Sequence, residues 1–212
     1  VQTCALPILP LYQTVPAYLR EMIESVLAQT YGNWQLCLAD GSPHTGGQGA
    51  AGEKGTPRTA LTGILEEYAA RDSRICFVTM QENEGISGNT NAALALAHGD
   101  YLVLVDHDDL VAPNALYEFA AAIAHNGEID MLYSDEDKVD MEGKRYFEPH
   151  FKPDFNPDLL RSMNYICHLL AVRTDVAARA GGFRSEFDGA QDYDFILRCS
   201  ECAAQIYHVP KI

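Results

Sequence analysis

Tyr101-Leu-Val-Leu-Val105 runs without a break into Asp106-His-Asp-Asp109. Five apolar residues closed by a charged cluster have the length of a strand buried on both faces, too short for a buried helix. Such strands belong to parallel sheets with helices packed on either side. Upstream, Gln81 to Asn91 is a polar turn that opens an Ala- and Leu-rich helix reaching His98. Before it lie a strand at Ile75 to Thr79, a helix over Thr59 to Ala70 and a strand at Trp34 to Ala39. Leu19, Met22, Ile23, Val26 and Leu27 recur at helical spacing, with Thr14 and Pro16 as entry signals and Gly32 closing the helix. Downstream, Pro113 opens a helix to His125, and a strand at Ile129 to Tyr133 ends in Ser134-Asp-Glu-Asp137. A proline-rich passage (Pro149, Pro153, Pro157) is less regular. It leads to a strand at Cys167 to Arg173, a helix to Ala180, a helix start at Gln191-Asp-Tyr-Asp194 and a last strand at Ile206 to Val209. Strands and helices in alternation predict an α/β fold with a mainly parallel sheet, open to ligands at the strand carboxyl edge.

The ends are expected to be cut. The strand that should precede the first helix is available only at Ile8 to Tyr12, with Pro7 and Pro10 breaking it. Val1 to Ile8, VQTCALPI, resembles a translated sequencing adapter, which leaves 9–212 as one truncated domain and 1–8 as a non-native segment.

The 212 residues carry a net charge of −15, which argues against nucleic acid as the partner. A phosphorylated ligand would need a cation or backbone dipoles to offset repulsion. No apolar run approaches the ~20 residues of a membrane span, and Val1 to Leu11 lacks the basic start of a secretory signal. The expectation is a cytoplasmic protein, with peripheral contact at the inner membrane face. Cys199-x-x-Cys202 lacks the second pair that a zinc site needs. Gly46 to Gly55 holds five glycines and reads as a surface loop. Within it, Gly47-x-x-x-x-Gly52-Glu53-Lys54 puts a carboxylate where a phosphate loop needs lysine.

Acidic residues gather at or near strand ends: Asp40, Asp106 to Asp109, Asp135 to Asp137, and Asp192 with Asp194. Like charges placed together are costly unless a cation or ligand joins them. Asp106 and Asp108, one residue apart beyond a buried strand, can reach one hard cation, Mg²⁺ or Mn²⁺, that also holds diphosphate oxygens. Gly85 before Ser87 leaves a helix N-terminus open to negative groups. Asp192, at another helix start, can act as a general base or simply as an N-cap.

Six segments occur in order: Ser25-Val-Leu-Ala-Gln-Thr-Tyr-Gly-Asn-Trp34, Ala39-Asp-Gly-Ser42, Asn83-Glu-Gly-Ile-Ser87, Asp106-His-Asp-Asp109, Tyr133-Ser-Asp-Glu-Asp137 and Asp188-Gly-Ala-Gln-Asp192. With these the chain resembles glycosyltransferase family 2, of GT-A fold, and within it the bacterial enzymes of O-antigen and rhamnan assembly. The resemblance runs from Pro10 to the end. It implies inverting transfer from a nucleotide-diphospho-sugar donor to a hydroxyl of a glycan or lipid-linked acceptor. It also implies a divalent metal on Asp106 and Asp108, Asp109 near the donor sugar and Asp192 as general base. Tyr12 would pack near the nucleoside and Asp40 would bind the base, with Asn83, Gly85, Ser87 and Asn91 lining the nucleotide pocket. Ala39 stands where the family usually has a further aspartate. Two rival readings are a sugar nucleotidyltransferase and an inactive nucleotide-sugar-binding module of a larger transferase.

Overall fold

The computed structural model describes residues 4–45 and 58–212, so the Gly46 to Gly55 loop lies outside the described residues. In chain order the elements are β1 (Ala5–Leu11), α1 (Pro16–Leu27), β2 (Leu36–Asp40), α2 (Thr62–Arg71), β3 (Ile75–Thr79), α3 (Gly85–Ala95), β4 (Tyr101–Leu104) and α4 (Ala115–His125). There follow β5 (Met131–Ser134), β6 (Glu136–Val139), β7 (Tyr146–His150), α5 (Pro157–Ser162), β8 (Leu170–Arg173), α6 (Thr174–Ala180), α7 (Gln191–Cys202) and β9 (Ile206–Val209). Seven strands form one sheet in the order β3-β2-β1-β4-β8-β5-β9, and β6 pairs with β7 in a separate antiparallel ribbon. All sheet pairings are parallel except those of β8, which runs antiparallel to β4 and to β5.

Alternation along the strands divides the core in two. Leu9, Leu11, Val103 and Val105 face one side, where Leu19, Met22, Ile23 and Val26 of α1 cover them. Leu6, Ile8, Leu102 and Leu104 face the other, against Phe195 and Ile196 of α7 and Val176 of α6. The four α1 residues are fully buried, and each such side chain contributes about 1.5–3 kcal/mol relative to exposure.

The expectation that prolines break the first strand is overturned, because β1 is an interior strand of the sheet, paired with β2 on one side and β4 on the other. Each proline removes one N–H donor and nothing else from the ladder. Pairing to β4 ends at Ile8↔Leu104, before Pro10 is reached. Full burial of Leu6, Leu9 and Leu11 outweighs the lost donors. Several boundaries also move. Helix α1 stops at Leu27, well short of Gly32; Trp34 only bridges to Ala5 before β2 begins; and Cys167 to Leu169 stays outside β8. The passage read as irregular holds the β6–β7 ribbon and α5, whose Asn156 side chain accepts from the N–H groups of Asp158 and Leu159.

Asp194, grouped by sequence with the strand-end carboxylates, is spent inside the fold. It accepts from the Arg184 guanidinium and, at 2.7 Å, from Nη2 of Arg198. Arg198 in turn donates to the carbonyls of Ala180 and Gly182, tying α7 to the end of α6. Burial alone would raise the Asp194 pKa, but the two guanidiniums outweigh it and hold it below the usual carboxylate range. A carboxylate with a depressed pKa stabilises the fold above its unfolded value and loses that contribution as pH falls through its folded value. Asp194→Asn is therefore expected to cost about 2 kcal/mol at neutral pH. Denaturant melts of both proteins should show that gap closing once the pH drops below the ordinary carboxylate range; a gap independent of pH would refute the assignment.

Candidate active site

The carboxyl ends of β1 and β4 open on a cleft lined by Ile8, Pro10, Asp106, His168, Gln191 and Asp192, among others. Asp106 enters it because β4 ends two residues earlier, and a turn in which the Asp109 N–H donates to the Asp106 carbonyl at 3.2 Å brings Asp109 back alongside. His168 arrives from the opposite direction. The β4–β8 register pairs Leu104 with Leu170, and two more residues along it set Asp106 opposite His168. His168 Nε2 lies 3.3 Å from Asp106 Oδ2.

Asp106, Asp109 and His168 each offer a ligand atom within 4.8 Å of the others. His168 Nδ1 is buried without a hydrogen-bond partner. Two carboxylates and an imidazole suit a divalent ion of the Mn²⁺ kind, and the residues present fit such a cation. Burial would lower the His168 pKa, but Asp106, with Asp109 and Asp192 behind it, raises it to about 9. The bond to His168 holds Asp106 below the usual carboxylate range, whereas burial lifts Asp109 above it. Asp192 is raised too, by burial first and then by the Asp106 charge. It sits in the first turn of α7, where Gln191 Nε2 donates to its Oδ2 at 3.0 Å. The cleft thus sets one carboxylate of increased basicity beside a compact ligand set.

The remaining expected residues divide. Asp108 is exposed, 3.8 Å from His107 Nδ1, and is not drawn into the ligand set with Asp106. Tyr12, just past β1, is 48% exposed, its hydroxyl accepting from Gln13 Nε2 at 3.3 Å. Asp40 is fully buried, accepting from the Ser42 N–H at 2.9 Å and the Thr59 hydroxyl, so its carboxylate is already engaged. Asn91 gives both polar ends of its side chain to the backbone of Phe183, which joins α3 to the segment before α7. Asn83 Oδ1 accepts from the Gly85 N–H and from Asn89 Nδ2, shaping the turn into α3.

The open N-terminus expected at Gly85 and Ser87 needs correction. Asp188 Oδ1 accepts from the Ser87 N–H at 3.2 Å, and the Ser87 hydroxyl donates to the Arg184 carbonyl. A carboxylate of the chain itself satisfies this helix end, since free N–H donors attract any nearby anion. Gly85 has φ +75°, and a Cβ there would lie 2.4 Å from Asp188 Oδ2, so glycine is what lets the carboxylate approach.

His168 was missed. No spacing motif marks it, and its only signal is its place just before an apolar strand. That signal has meaning only when the strand is known to lie antiparallel beside β4.

Residues 56–184 match the family described as Glycosyl transferase family 2. The O-antigen biosynthesis protein RfbC of Myxococcus xanthus is 38% identical over 203 residues, which are 94% of this chain and 15% of that protein. A protein of Sinorhizobium fredii, y4gI, is 41% identical over 97% of this chain and 21% of its own length. The chain thus spans about a fifth or less of these two relatives. Among solved structures, S. aureus TarS superposes with a TM-score of 0.74 at 18% identity, over 99% of this chain and 35% of that one. Mannosyltransferase PcManGT from Pyrobaculum calidifontis, in complex with GDP-Man and Mn²⁺, gives 0.64 at 17% identity, over 98% and 55%. These likenesses show a shared GT-A-type fold, and the family match spans more than half of the sequence. The chain belongs to glycosyltransferase family 2.

Proposed function

We propose that the cleft transfers a sugar, with inversion, from a nucleotide-diphospho-sugar to a hydroxyl of a glycan or lipid-linked acceptor during cell-surface polysaccharide assembly, at the cytoplasmic side of the membrane. The observation that carries this reading is the convergence of Asp106, Asp109 and His168 with Asp192 in one cleft at the strand carboxyl ends. The relatives agree with it: RfbC is an O-antigen biosynthesis protein, TarS has been solved with UDP-GlcNAc and PcManGT with GDP-Man and Mn²⁺. Among the described residues no helix is long and apolar enough to cross a membrane.

Asp106, Asp109 and His168 would hold the divalent ion. Bound there, the ion supplies positive charge against the diphosphate, which a chain of charge −15 cannot offer by itself. Tyr12 flanks the nucleoside at the mouth of β1. Asp192 accepts the acceptor hydroxyl proton as the oxygen bonds to the anomeric carbon. The bond from that carbon to the diphosphate breaks, its electron pair leaves with the nucleoside diphosphate, and attack from the opposite face inverts the centre.

Four experiments test this. Thermal melts with UDP, dTDP, GDP and CDP, each with and without Mn²⁺, should show stabilisation by one nucleotide and only with metal. No shift for any of them would overturn the donor assignment. Because an imidazole joins the carboxylates, Mn²⁺ should support a larger shift than equimolar Mg²⁺. Asp106→Ala should abolish metal-dependent nucleotide binding, whereas Asp192→Asn should keep binding by calorimetry and lose transfer by at least about a hundredfold. Nucleotide affinity untouched by Asp106→Ala would sink the cation site. Metal-dependent donor hydrolysis would separate an enzyme from an inactive binding module.

A further inference from the structure

Among the described residues Lys152 is the only lysine or arginine that is buried, and its side chain has no exposed surface at all. An ammonium taken out of water must be paired and hydrogen-bonded, so its partners reveal what it is there to hold. Lys152 Nζ donates to the Ile166 carbonyl at 2.6 Å, to the His168 carbonyl, and to Glu136 Oε2 at 3.1 Å. Its backbone N–H donates to Asp135 Oδ1 at 2.8 Å, an oxygen that His208 Nε2 also approaches at 2.8 Å. Both carboxylates come from Ser134-Asp-Glu-Asp137, the acidic cluster at the end of β5 that the cleft does not use.

The two carbonyls flank Cys167, whose φ of +39° is in the left-handed region that residues other than glycine seldom adopt. A backbone held there persists only when its surroundings over-determine it. Asn164 Oδ1 accepts from the Cys167 N–H at 3.3 Å, and the lysine clamps the carbonyls on either side. The residue delivered by this turn is His168.

We propose that Lys152 is a positioning residue for the cation site: its ammonium, held by Glu136 and by the Asp135-anchored backbone, fixes the turn at Cys167 and so aims the His168 imidazole at Asp106 and Asp109. The inference rests on the cation reading of the cleft. It assigns a task to the Asp135–Glu136 pair that lies outside the reaction itself. Groups that order a metal ligand from behind commonly change metal affinity by 10–100-fold when removed.

The test uses Mn²⁺, with the nucleoside diphosphate selected by the melting scan, and reads the free ion by electron paramagnetic resonance. His168→Ala is the reference, and the probing variant is the pair Lys152→Met with Glu136→Gln. That pair removes ammonium and carboxylate together and leaves no unpaired buried charge. The double variant should melt as a folded protein and bind Mn²⁺ at least about tenfold more weakly. Parental Mn²⁺ affinity in a folded double variant, with His168→Ala weakened, would overturn the positioning role and leave the cation site standing. Parental affinity in His168→Ala would overturn the cation site itself. Should the double variant not fold, Glu136→Gln alone, which frees the lysine from one anchor, is read in the same way: several-fold weaker Mn²⁺ binding supports the inference, and unchanged binding refutes it.

Discussion

One antiparallel strand makes the site. Strand β8 enters between β4 and β5, and its direction is what carries His168 to the end of β4 where Asp106 waits. Had β8 run parallel, the residue preceding it would have emerged at the amino edge of the sheet, far from every strand-end carboxylate. Leu170 and Val172 pack on the α6–α7 side of the sheet and Ala171 on the α1 side, and a slip of one residue would exchange the small side chain for the large ones. A packing constraint in the core thus determines which nitrogen meets which carboxylate in the cleft.

The acidic clusters of this chain look alike in sequence, yet the fold disposes of them in two ways. Asp194 is met by two guanidiniums, Asp135 by His208 and the Lys152 backbone, and Asp40 by a hydroxyl and an N–H. Asp188 neutralises the start of α3. Asp194, Asp135 and Asp40 are buried, and their internal donors make that tolerable. Asp106, Asp109 and Asp192 share a single imidazole among three negative charges. The cleft is left short of internal donors, which is why a cation is proposed there.

Legibility in the sequence followed the range of the interactions. The Tyr101 to Val105 strand, its carboxylates and the helix start at Asp192 depend on local pattern, and each was readable. The ligand set was not, because it depends on β8 lying beside β4, a choice made by packing across more than sixty residues of chain. The same holds for Lys152, which reads as an ordinary surface lysine beside Phe151 until its carbonyl partners are known. Pro7 and Pro10 misled for the opposite reason: a strong local signal was overridden by apolar burial on both faces of β1. At α3, local reading found a competent helix end, while the anion filling it comes from Asp188, about a hundred residues away.

The placement of Asp192 bears on its proposed role as a base. Burial and the Asp106 charge raise its pKa, which increases its affinity for a proton. The first turn of α7 and the Gln191 amide act the other way, favouring the ionised form that can accept one. Because α7 is itself locked to α6 through Arg198 and Asp194, the carboxylate is carried on a rigid element rather than a loop. Rigidity there matters, since a base misplaced by an ångström loses the hydrogen bond through which it works.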